Sequence, residues 1–238
     1  MDAENYHKLL EDKFLTYAEL SKIPVIDNHE PMVCVGPAYG ISILSIDDEM
    51  MKYTGKDIFV RKSVAVKLRE AQYVLDTLMP NGKLQLVYGY RHLDIQKKMF
   101  EQIRNKLLNA GPYDDEEQIR ELVHFSVAVP DVAGHPTGGA VDVRTLRDGL
   151  KLDMGTEVDD FSKTSYVHSP FISRSAWHNR QILRICMTTV GFAPCDAEWW
   201  HFSYGDREWA KYYDCTHAIY DQLAFQVDNN PQTLRIIR

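Results

Sequence analysis

The sequence predicts an α+β protein, a single domain over residues 1–238, on three observations. Amphipathic helical stretches and short alternating stretches are mixed along the chain without the regular βαβ rhythm of a doubly wound sheet. No Gly/Ser linker, low-complexity tract or internal repeat divides the chain. Its 45% hydrophobic and 26% charged residues balance as in a globular chain, and 238 residues are enough to bury a core without staples.

The elements follow in order. Met1 to Leu20 carries Asp2, Glu4, Glu11, Asp12 and Glu19 and lacks a basic stretch leading into an apolar one, so no signal peptide is expected. Pro31 to Ile46 is the longest uncharged run. It falls short of the ~20 residues of a membrane helix, and Pro31, Gly36, Pro37 and Gly40 interrupt it, so no membrane span is expected. Val64, Leu68, Ala71, Leu75 and Leu78 recur at helical spacing and predict a helix over 63–79 with Ser63 as N-cap. Asn81-Gly82 ends it, and Leu84, Leu86, Tyr88 and Tyr90 alternate as a strand. Gln96, Met99, Phe100, Ile103 and Leu107 mark a second helix, closed by Gly111-Pro112. The acidic stretch Asp114 to Glu121 reads as the solvated first turns of another. Gly138-Gly139 leads into a short strand, Ala140-Val141-Asp142-Val143. Ala176, Ile182, Leu183, Ile185, Met187 and Val190 predict a helix over 176–190 stopped by Gly191, and Glu198 to Tyr204 reads as a further strand.

The charge of −7 is spread thinly and no Lys/Arg block offsets it, which excludes nucleic acid as an expected partner. Cys34, Cys186, Cys195 and Cys215 are scattered without a C-x-x-C pair and read as free thiols, so a cytoplasmic location is expected.

Most of the histidines carry no obvious chemistry: His7, His92, His124, His168, His178 and His217 lack a partner at ligand spacing. His135 and His201 differ. His135 precedes the turn Pro136-Thr137-Gly138-Gly139, whose tight backbone lets it converge with Asp142 on the following strand. Imidazole nitrogen and carboxylate oxygen are both zinc ligands, although such a turn by itself is only a turn. In Glu198-Trp199-Trp200-His201 an acid and a histidine stand three apart. On a regular strand they face opposite sides, so they share a site only if the segment bends or makes a helical turn. Otherwise the tryptophans are core and the polar pair lies at the rim. His135, Asp142 and His201 together would leave a fourth position open, the pattern of a catalytic zinc. Glu198 remains as a base and Arg91 as a cation for a developing oxyanion, or else as a surface residue at a strand–helix junction.

The set Gly89-Tyr90-Arg91, His135-x6-Asp142, Met154-Gly155-Thr156-x-x-Asp159 and Glu198-Trp199-Trp200-His201 resembles the D-alanyl-D-alanine dipeptidases. These are zinc metallopeptidases of the vancomycin-resistance dipeptidase type, related to the D,D-carboxypeptidases. Asn179-Arg180-x-x-Leu183-x-x-x-Met187-x-x-x-Gly191-Phe192 is similar to the helix preceding the last motif. The similarity covers about residues 50–205; the first fifty residues and the tail from about Asp206 match loosely and are assigned no site.

The resemblance implies one zinc per chain on His135, Asp142 and His201, Glu198 as general base and Arg91 stabilising the tetrahedral intermediate. It also implies Asp159 pairing with the free ammonium of a dipeptide. It further implies a central antiparallel sheet flanked by helices with the zinc in a cleft, and hydrolysis of D-alanyl-D-alanine or close relatives. A D,D-carboxypeptidase acting on longer peptidoglycan stems and a non-catalytic zinc-stabilised binding module are the alternatives. Three positions depart from the family pattern: Ala133 for a serine, His92 for a proline and Val158 for a phenylalanine.

Overall fold

The chain opens with two short helices whose caps are local. In α1 (Ala3–Glu11) the Asp2 carboxylate accepts the Asn5 N–H. In α2 (Tyr17–Leu20) Thr16 and Glu19 form a reciprocal capping box. Next come β1 (Met32–Val35), the two-residue β2 (Ser42–Ile43), one turn of helix α3 (Met51–Thr54) and β3 (Ile58–Arg61). Strands β1 and β3 pair antiparallel as a separate ribbon. The structure, a computed structural model, describes residues 2–44, 47–113 and 115–227; Met1, Ser45, Ile46, Asp114 and residues 228–238 lie outside them.

Helix α4 (Lys62–Leu78) buries Val64, Leu68, Ala71 and Leu75, as the spacing predicts, while Leu78 is exposed. Ser63 is not its cap. Arg61 holds that position, and Ser63 instead donates its N–H and hydroxyl to Glu30. Strand β4 (Gly82–Tyr88) follows, then α5 (Leu93–Ala110), which starts earlier than its apolar spacing suggests because His92 accepts the Asp94 N–H as an N-cap. In α6 (Glu116–His124) the acidic start is not wholly solvated: the Glu121 carboxylate accepts the Tyr17 and Ala18 N–H groups, capping α2.

Strand β5 (Ala140–Arg147) runs twice the predicted length and is followed by β6 (Leu150–Lys151), α7 (Arg174–Thr189), β7 (Ala193–Pro194), β8 (His201–Ser203) and α8 (Arg207–Tyr212). The sheet order is β2-β4-β5-β8-β7, with β6 paired to β5. Every pair is antiparallel except β2 with β4. The expected antiparallel sheet is therefore present with one parallel edge strand.

Alternation along β5 decides where the site lies. Val141 and Val143 are fully buried with Leu68 and Leu75 of α4 and with Leu183 and Met187 of α7. Successive strand residues face opposite ways, so Asp142 points to the other side of the sheet. There α5 and α6 contribute Gln96, Met99 and His124 to the wall of a cleft of about 190 Å³. All four cysteines are free. Among the described residues no helix is long and apolar enough to cross a membrane.

Candidate active site

Strand register brings the first pair together. On β5, Asp142 lies opposite Tyr88 of β4 on one side and His201 of β8 on the other. His135 arrives from a single 3₁₀ turn, His135–Thr137, that ends at Gly138 with φ of 73°. A side chain is strained at that angle, and a Cβ there would stand 2.6 Å from the Met32 sulfur. The turn therefore requires glycine, and it folds His135 back over the start of β5. His135 Nε2 stands 3.3 Å from Asp142 Oδ2, and His201 Nδ1 stands 3.0 Å from Asp142 Oδ1. One ligand atom from each of the three buried residues lies within 4.8 Å of the other two.

The arrangement fits a metal. Ligands at zinc distances in tetrahedral geometry stand roughly 3.3 Å apart, close to the 3.3 and 3.0 Å of the two histidine–Asp142 contacts. His135 Nδ1 is 2.7 Å from the Gly89 carbonyl oxygen, which can only accept, so Nδ1 carries the proton and Nε2 keeps its lone pair toward Asp142. Burial opposes the charge of Asp142, yet the two imidazoles hold its pKa well below the usual range. Burial keeps His135 below its ordinary value. It disfavours charge on His201 too, but the Asp142 and Glu208 carboxylates raise that ring well above it.

Glu198 reaches the same cleft through a turn rather than a strand. The predicted strand over Glu198 to Tyr204 begins only at His201, whose N–H donates to the Glu198 carbonyl at 3.2 Å. Trp199 and Trp200 go into the core, while the acid and the histidine converge, with Glu198 Oε2 4.0 Å from His201 Nδ1. Burial pushes the Glu198 carboxyl up to about 8, with Asp142, Glu208 and Asp159 adding to the push. Asp159, in the left-handed region with φ of 65°, lies exposed on the cleft wall; partial desolvation and then Asp142 raise it to about 6. Arg91 is no surface residue. Its guanidinium lies over the Tyr88 ring at 4.5 Å, Nη1 donates to Gln96 Oε1 at 3.0 Å, and Nε has no partner. Five carboxylates (Asp142, Asp159, Asp196, Glu198 and Glu208) thus line the cleft against this one buried cation, an imbalance that a divalent metal and a cationic substrate group would relieve.

A family model described as D-ala-D-ala dipeptidase matches residues 45–221. The chain belongs to this family. It is a metallopeptidase, and a non-catalytic zinc module is set aside. A D-alanyl-D-alanine dipeptidase of Synechocystis sp. is 27% identical over 73% of this chain and 80% of its own length. One from Escherichia coli is 40% identical over 33% of this chain and 41% of its own. Among solved structures, the LdcB LD-carboxypeptidase aligns with a TM-score of 0.46 at 20% identity, covering 79% of this chain and 77% of that one.

Several residues of this dipeptidase-family site were not identified from the sequence. Gln96 ties Arg91 to the Ala128 carbonyl, to which its Nε2 donates at 2.8 Å. Arg180 is fully buried and donates to the carbonyls of Met154, Tyr166 and Thr164, pinning the loop that carries Asp159. The segments assigned no site also reach the cleft: Lys13, Phe14 and Leu15 line it from one side, Glu208 and Tyr212 from another. Of the three departures, His92 caps α5 and stacks on Tyr53 at 3.8 Å, Val158 packs on the main core, and Ala133 lines the cleft without a hydroxyl.

Proposed function

We propose that the chain hydrolyses D-alanyl-D-alanine, or closely related dipeptides, to free amino acids, with zinc held by His135, Asp142 and His201. One observation carries the reading: the three ligand atoms, the Glu198 carboxylate, the Arg91 guanidinium and the Asp159 carboxylate all line one cleft. Bound there, Zn²⁺ supplies a Lewis acid for the scissile carbonyl and lowers the pKa of water toward ~7.

The remaining work falls to the chain. Glu198 stands beside the ligands without being one of them, so its oxygens are free to take a proton from the attacking water and pass it to the leaving amine. Arg91, its plane held by Tyr88 and Gln96, offers charge-assisted donors to the oxyanion. Asp159 is a carboxylate raised by partial desolvation and by Asp142, and an ammonium beside it restores its ordinary ionisation. A free dipeptide brings that ammonium; an acylated one leaves the charge unpaired.

The test is amino-acid release from D,D-, L,D- and L,L-dipeptides with and without chelator. Chelator-sensitive release confined to the D,D-compounds is expected, and chelator-insensitive or L,L-directed release overturns the proposal. Arg91→Lys is expected to lower kcat/KM by roughly 10²–10³-fold at unchanged zinc content, since a point-like ammonium cannot reproduce the fork. Parent-like kinetics would remove Arg91 from the reaction. Asp159→Asn separates dipeptidase from carboxypeptidase. Zinc content stays, hydrolysis of free D-alanyl-D-alanine weakens, and the preference over its N-acetyl derivative narrows. An unchanged preference would favour the carboxypeptidase alternative.

A further inference from the structure

His201 is flanked by acids on both edges of its ring. Its Nδ1 faces Asp142 Oδ1 at 3.0 Å and Glu198 Oε2 at 4.0 Å, the side on which the other ligand candidates and the proposed base converge. Its Nε2 faces the opposite way, toward Glu208 Oε2 at 3.6 Å and Ser203 Oγ at 3.5 Å. The Ser203 hydroxyl in turn donates to Glu208 Oε2 at 3.4 Å. The ring therefore has a metal side and an outer side, and Glu208 occupies the outer one.

We infer that Glu208 is a positioning residue for His201: with Ser203 it holds the proton on Nε2 and so presents the Nδ1 lone pair to the metal. The inference rests on the metal-site reading above. A neutral imidazole has a single N–H; with Nδ1 and Asp142 both given to the metal that proton belongs on Nε2, where an anionic neighbour favours it. Such outer partners fix the tautomer and ring angle of ligating histidines and raise their basicity. His135 has a neutral partner in the same role, the Gly89 carbonyl on its Nδ1. His201 has a charged one, so its lone pair is the more strongly donating of the two. Glu208 is not itself in the ligand group, whose mutually close atoms come from His135, Asp142 and His201.

The backbone is built to deliver this carboxylate. Gly205, with φ of 78°, turns the chain back after β8, and a Cβ there would stand 2.4 Å from the Tyr220 ring. Asp206 then starts α8, its Oδ1 accepting the Trp209 N–H at 2.9 Å. Glu208 falls in the first turn of that helix, folded back against the strand that carries His201.

The experiment measures Zn²⁺ affinity by competition with a chromophoric chelator in the parent and in Glu208→Ala, Glu208→Gln and His201→Ala, alongside thermal unfolding of each metal-free protein. Glu208→Ala is expected to lose roughly 10–100-fold in zinc affinity, the range for an outer partner of a metal ligand. Glu208→Gln keeps an accepting oxygen without the charge and is expected to fall between it and the parent. His201→Ala is expected to bind more weakly than either. Parent-level affinity in Glu208→Gln overturns the assignment whether or not the alanine variant folds, and so does an affinity loss that only follows a lowered unfolding temperature. Zinc retained at parent affinity by His201→Ala overturns the metal site itself, and the role of Glu208 with it.

Discussion

Asp142→Ala is expected to lose metal and turnover together. Asp142 is the middle member of the triad, 3.3 Å from His135 Nε2 and 3.0 Å from His201 Nδ1, and the anion that offsets a divalent charge in a buried place. Its removal leaves two neutral ligands beside Glu198 and Glu208, neither of them in the ligand group. Zinc affinity should fall by more than the roughly 10–100-fold that loss of an outer partner costs. Metal analysis after dialysis and the rate of D-alanyl-D-alanine hydrolysis check this on one sample. Full zinc occupancy with parent turnover would place the metal elsewhere.

Glu198→Ala is expected to do the opposite for metal and the same for rate. The carboxylate lies 4.0 Å from His201 Nδ1 and outside the ligand group, so zinc should stay at one per chain. Turnover should drop by roughly 10²–10⁴-fold, the usual cost of a lost general base, chiefly in kcat. Retained zinc with near-normal kcat would assign the proton transfer to another group, and Glu208 would be the first to test.

The two alanine variants also mark how legible the site was. Asp142 and His135 were readable as a pair because a glycine turn and a strand start separate them by seven residues, a local arrangement. Glu198 and His201 were readable only conditionally, since a regular strand would have sent them apart; the turn at Trp199 and Trp200, driven by burial of both indoles, resolves that in favour of a shared site. Glu208 had a signal that was not used. A glycine followed by Asp206 marks a reversal and a helix N-cap after the strand, which returns the first helical turn toward His201. Arg180 was legible only as a member of the Asn179-Arg180 helix motif; its role was not, because a buried arginine bonded to three carbonyls looks in the sequence like any charged residue on a helix.

The sequence by itself determined the α+β mixture, the positions of the long helices, the motif residues and the family, because these depend on residue identity and on spacings within a few residues. The tertiary structure decided the rest. It set Asp142 opposite His201, residues 59 apart in the chain, through the pairing of β5 with β8. It moved the cap of α4 from Ser63, whose polar groups found Glu30, and it carried Lys13 to Leu15 and Glu208 to the cleft from segments with no motif of their own. Propensity and periodicity act over a turn of helix or a few strand residues. Strand register and loop docking are settled by which distant surfaces bury each other, and no local pattern records that.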